Sequence, residues 1–177
     1  SMAKLKEYNG YYCESEYEYA FIGFLEAEGW IYSSGNNISR VTKRNVLIAD
    51  DFKKFIADTN PDLMEDEVTQ IFDNVRLVGS ESDFATLHKV YSWMVDGVQL
   101  TPQYGLAKMI PLIDFENWDK NIFRVVNQFT VEYTNNGQKQ NRRPDVLLFV
   151  NGIPLCVIEL KNPADANATI YDAWEQI

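Results

Sequence analysis

Two short apolar runs, 146–150 and 155–160, joined through Asn151-Gly152, constrain this sequence more than any other feature. Each is almost unbroken Val, Leu, Ile and Phe. Such runs suit strands covered on both faces at the centre of a sheet. Asn-Gly between them signals a hairpin, because both residues tolerate the positive φ of a tight turn. Charge is concentrated at the strand ends. Pro144-Asp145 opens the first run, and Glu159-Leu160-Lys161 closes the second. Charged groups at the ends of buried strands require a reason, since an unpaired buried charge is costly.

The hairpin register decides whether they meet. Glu159 and Lys161 are two apart and share a face of a strand. Residues directly opposite in an antiparallel pair also share a face. A two-residue loop with regular pairing sets Val150 against Ile153 and Asp145 against Ile158, which turns Glu159 away. A three-residue loop, 151–153, sets Val150 against Pro154 and Asp145 against Glu159. The sequence reading therefore favours the odd-length loop, with a glycine bulge as one way to build it. In that register two carboxylates converge beside a lysine. Hard oxygen ligands of this kind suit Mg²⁺ or Mn²⁺, with Asp145, Glu159 and the Leu160 carbonyl as ligands and Lys161 orienting a water. An ion pair at a sheet rim is the alternative. Glu18 is a further candidate, because it shares a helical stripe with Phe21, Ile22 and Leu25; Glu14 and Glu16 compete for the same role.

Other chemistries are poorly supplied. The single histidine, His88, lies in a helical stretch, which leaves little room for histidine-based nucleophile activation or multi-histidine zinc sites. Cys156 reads as a buried thiol and Cys13 lies in a polar segment, with no disulfide framework. There is no Gly-rich phosphate loop. No apolar run is long enough to span a bilayer, so a cytoplasmic setting is the default expectation. The net charge of -10 opposes unaided binding to nucleic acid.

Hydrophobic spacing predicts helices over 15–28, 46–57, 62–73 and 82–95, with Gly29, Asn60-Pro61 and Gly97 as stops. Residues 30–43 are expected to form a short strand and a turn-rich loop, and further strands are expected over 109–115 and 123–133 and in the two apolar runs, with a turn at Asn135-Asn136-Gly137. A last helix from about Asn167 runs to the end of the chain, which predicts a fragment of a longer polypeptide. The length, 177 residues, suits a single domain over 1–177.

The run from Asn141 to Pro163, with Val126-Asn127-Gln128-Phe129, Leu112-Ile113-Asp114-Phe115, Glu18 and Gly29-Trp30, resembles the PD-(D/E)XK nuclease superfamily. It is most similar to the N-terminal nuclease domain of the motor (R) subunit of type I restriction enzymes. The resemblance implies an α/β, restriction-endonuclease-like core with a central mixed sheet flanked by helices. It implies Mg²⁺-dependent cleavage of double-stranded DNA, with Asp145, Glu159, Lys161 and Glu18 in the site. Gln176 fits the first position of the family's Gln-x-x-x-Tyr motif. ATP would be used only by a translocase further along the polypeptide, and methyltransferase and specificity subunits would be partners. A translocase that holds DNA would answer the charge objection. Lys139, Arg142 and Arg143, close to Asp145, are then candidates for phosphate contacts. The rival readings are a PD-(D/E)XK nuclease of another DNA-processing or defence enzyme, and a subunit-docking domain with a nuclease-like fold.

Overall fold

A computed structural model of the chain describes residues 14–76 and 83–160. In chain order its elements are α1 (Glu14–Ala27), β1 (Ile31–Ser34), α2 (Ala49–Thr59), α3 (Glu65–Arg76) and α4 (Asp83–Asp96). Then follow β2 (Val98–Leu100), β3 (Lys108–Ile110), β4 (Phe123–Asn127), β5 (Val131–Asn135), β6 (Gln138–Arg142), β7 (Val146–Val150) and β8 (Ile153–Ile158). Among the described residues the main sheet has the order β1-β4-β7-β8, with β1 parallel to β4 and the other pairs antiparallel. This is the expected mixed sheet flanked by helices, in keeping with a restriction-endonuclease-like core.

Burial explains why the apolar run at 146–150 lies inside. Val125 and Val146 pack under Ile22 of α1 on one face of the sheet. Val126, Leu147 and Phe149 turn to the other face and meet Ile48 and Phe129. A further core joins Phe52 and Phe55 of α2 to Ile71 of α3 and to Leu100 of β2. Full burial of each such side chain is worth about 1.5–3 kcal/mol. The stripe read on α1 is real: Ile22 is buried, and Phe21 and Leu25 pack beside it. Asp50 and Asp51 sit in the first turn of α2, where a carboxylate complements the helix dipole. Asp51 also takes a two-pronged contact from Arg124 of β4, at 2.6 and 2.9 Å, while Arg124 donates to Ser33 Oγ of β1 at 2.8 Å. Hydrogen bonding to Asp51 raises the Arg124 pKa further, so the guanidinium that joins helix to sheet stays charged.

Four expectations are corrected. The strand expected over 123–133 breaks at Gln128, whose φ is +52°, and β5 leaves the sheet to pair with β6. Gly35 packs against that break, where a Cβ would lie 2.5 Å from the Gln128 carbonyl oxygen. The strand expected over 109–115 shrinks to β3, which pairs with β2. The run at 155–160 is not a central strand covered on both faces: β8 is an edge strand of the described sheet, so Leu155, Val157 and Cys156, expected to be buried, are exposed.

The fourth correction concerns the hairpin. Its loop has two residues, not three: Val150 pairs with Ile153, and Asn151 and Gly152 take φ of +51° and +77°. The register is nevertheless shifted. Phe149 pairs with Pro154 but Leu148 with Cys156, so Leu155 is an extra residue bulged out of β8. Below the bulge Val146 pairs with Ile158, and one step further brings Asp145 across from Glu159. The turn is fixed from outside. Ile48 N–H donates to the Gly152 carbonyl at 2.9 Å, and a Cβ on Gly152 would overlap the Ile48 carbonyl oxygen.

Candidate active site

Asp145 and Glu159, two of the residues singled out for chemistry, lie at one end of the main sheet. β7 begins there and β8 ends there, which gives Asp145 and Glu159 their opposed positions. Asp145 Oδ2 accepts the Leu160 N–H at 2.7 Å, in a half-buried setting. That bond ties the mouth of the hairpin together and fixes the Asp145 carboxylate. Glu159 Oε1 accepts from Arg142 of β6 at 3.0 Å, and both side chains are well exposed, at 46% and 63%. An ion pair so open to water is worth little and is easily exchanged.

Glu18 reaches the same edge from α1. Its Oε1 accepts from Asn127 Nδ2 at 2.7 Å, and Asn127 Oδ1 accepts the Tyr32 hydroxyl at 2.8 Å. Asn127 ends β4 and pairs with Val146, the first residue of β7. Glu18 is thereby anchored at the end of β4, beside the start of β7. Burial, with Tyr19, Glu18 and Glu26 nearby, raises the Tyr32 pKa, so its hydroxyl stays protonated and remains a donor.

Among the described residues, no three His, Cys, Asp or Glu side chains converge closely enough to hold a metal. Each acid instead has a protein partner: Asn127 for Glu18, the Leu160 amide for Asp145, and Arg142 for Glu159. The donor chemistry still fits Mg²⁺ or Mn²⁺. Mg²⁺ needs only one or two carboxylates and keeps several waters, and Asp145, Glu159 and the Leu160 carbonyl offer oxygen alone. Lys161 and Gln176 lie outside the described residues, as does Cys13. Lys139 and Arg142 lie on β6 and Arg143 just after it, all exposed. Arg142 is committed to Glu159. His88 falls within α4.

The sequence reading did not pick out Asn127 and Tyr32, which the fold links to the candidate Glu18. A signal existed: Asn127 follows the apolar pair Val125-Val126 at the end of β4, and in the fold it is fully buried. A buried amide needs partners, and its partners are at the site.

The chain matches the family described as the type I restriction enzyme R protein N terminus, over residues 11–177. It belongs to that family. Among relatives of the R-protein N terminus, a Methanocaldococcus jannaschii protein named as the MjaIXP endonuclease subunit of a type I restriction enzyme is 36% identical over 167 residues, which is 89% of this chain. The HindI endonuclease subunit of Haemophilus influenzae is 32% identical over 177 residues, covering 92% of this chain. A Staphylococcus aureus endonuclease subunit is 28% identical over 139 residues, or 78% of this chain and 14% of its own length. The chain spans 16% of the length of the first two relatives. Among the described residues of this R-protein N terminus, no helix is long and apolar enough to cross a membrane.

Proposed function

We propose that this R-protein N terminus is the nuclease domain of a type I restriction enzyme and hydrolyses phosphodiester bonds of double-stranded DNA with Mg²⁺ or Mn²⁺. The observation that carries the reading is the bulged register, which opposes Asp145 and Glu159 at the sheet edge where Asp145 grips the Leu160 amide. Asp145, Glu159 and the Leu160 carbonyl hold the ion. When bound, it neutralises charge on the scissile phosphate and lowers the pKa of a coordinated water. Lys161 hydrogen-bonds the attacking water and offsets charge that builds on the phosphate oxygens. Glu18 assists from α1, and Gln176 supports the site from the segment after it. Lys139, Arg142 and Arg143 contact backbone phosphates, which carry no sequence information.

The net charge of -10 supports a division of labour in which this domain cuts and another part of the polypeptide grips DNA. On this reading the remaining length of the polypeptide carries an ATP-driven translocase. The subunit assembles with methyltransferase and specificity subunits, and the specificity subunit reads the DNA sequence. It works in the cytoplasm.

The test is calorimetric titration of Mn²⁺ into the chain, beside Asp145→Ala and Glu159→Ala, with folding checked by circular dichroism. Binding lost in both variants supports the site. Unchanged binding in both sinks it. The second reading, a docking domain on a nuclease-like fold, draws on the absence of a three-acid cluster among the described residues, and it would gain from that second result.

A further inference from the structure

Asn127 is a fully buried amide at the last position of β4, flanked on one side by the end of β1 and on the other by the start of β7. Leaving an amide there without partners would cost on the order of 1–3 kcal/mol, so its placement calls for a use. Its side-chain bonds run in one line. Tyr32 of β1 donates its hydroxyl to Oδ1, and Nδ2 donates to Glu18 Oε1 of α1. A carboxylate can only accept, so the NH₂ end of the amide faces Glu18 and Oδ1 is left to take the Tyr32 hydroxyl. The NH₂ group is therefore committed to Glu18 before any ligand arrives. The backbone reinforces this: β4 stops at Asn127 because Gln128 turns to a positive φ, which keeps the amide at the sheet edge.

We propose that Asn127 is a positioning residue: locked by Tyr32, it holds the Glu18 carboxylate at the edge where Asp145 and Glu159 face each other. The bond occupies Oε1, and Oε2 is the oxygen through which Glu18 acts. This rests on the reading of that edge as the site of DNA cleavage. Asn127 acts through Glu18 and does not itself touch the reacting atoms. Its loss should resemble the loss of outer partners of metal ligands, which lowers activity about ten- to a hundredfold.

The experiment measures single-turnover DNA cleavage by the full-length subunit assembled with its partners, together with thermal midpoints. Asn127→Asp keeps the shape but sets an acceptor against the Glu18 carboxylate. Tyr32→Phe removes one hydroxyl and leaves the packing, so it reports even where Asn127→Asp fails to fold. Both should lower the cleavage rate constant with little change in the DNA concentration at half-saturation. Neither should cost anything further in a Glu18→Gln background, because residues acting through one group are not additive. Losses that multiply with Glu18→Gln would overturn the proposal, since they would mean a role in stability alone. Full cleavage by Tyr32→Phe and Asn127→Asp, with cleavage lost in Asp145→Asn, would also overturn it while leaving the cleavage site standing. Full cleavage by Asp145→Asn would remove both.

Discussion

Replacing Asn151 by alanine should destabilise the chain by about 4 kcal/mol. Asn151 is fully buried at the turn between β7 and β8. Its Oδ1 accepts the Ile122 N–H at 2.7 Å, and its Nδ2 donates to the Leu112 carbonyl and to Asn121 Oδ1, both at 2.9 Å. Each such bond contributes about 1 kcal/mol net, so truncation removes about 3 kcal/mol from the three together. The backbone adds to this, because φ at residue 151 is +51° and a left-handed alanine costs roughly another 1 kcal/mol. The residue's own N–H bond to the Ile122 carbonyl, at 2.8 Å, survives the change. In urea unfolding with a slope of about 2 kcal/mol per molar, the midpoint should fall by about 2 M. Asn151→Gly loses the same side-chain bonds without the φ strain, so it should lie above the alanine variant. A loss under about 1 kcal/mol in Asn151→Ala would refute the hydrogen-bond reasoning. A glycine variant no better than alanine would refute the strain argument.

Deleting Leu155 removes the bulge but keeps the pairs Leu148–Cys156 and Val146–Ile158, so Mn²⁺ binding should survive; calorimetry showing its loss would mean that the bend, not the register, matters. Arg142→Met should strengthen Mn²⁺ binding about two- to fivefold at low salt by freeing Glu159, the range expected for an exposed ion pair, and no change would show that Arg142 does not compete. The Asp62 carboxyl is held below its ordinary pKa, chiefly by the hydrogen bond from Lys108. Any stability this adds is present above the ordinary carboxylate range and is lost as pH falls through the depressed value. Lys108→Met should return the Asp62 titration, followed by carboxyl NMR, to the ordinary range.

The sequence alone carried the covered strand at 146–150 and the helices, because these are properties of neighbours along the chain. Apolar spacing named the stripe on α1, and the same spacing placed Glu18 on it. The run at 146–150 suited a covered strand, and Asn151-Gly152 signalled a turn between strands, as the fold has them. The charge of -10 already argued that something else must hold DNA. The sequence reading expected a one-residue offset that would oppose Asp145 and Glu159; the pairs, which run to Val146–Ile158, contain that offset but by another device. It lengthened the loop, whereas the chain keeps a two-residue turn and inserts Leu155 as a bulge. Nothing local distinguishes these, since both add one residue to the same strand. The choice falls to the docking of Gly152 on Ile48 and of Asn151 on Ile122 and Leu112, contacts with residues 29 or more positions away. The break at Gln128 has the same origin: alternation runs on through it, and only the approach of Gly35 shows why the strand ends. Asn127 shows the difference most clearly. In the sequence it is one polar residue after the apolar pair Val125-Val126. In the fold it is a buried amide between Tyr32 and Glu18, 95 and 109 positions away, because burial leaves it no water to bond.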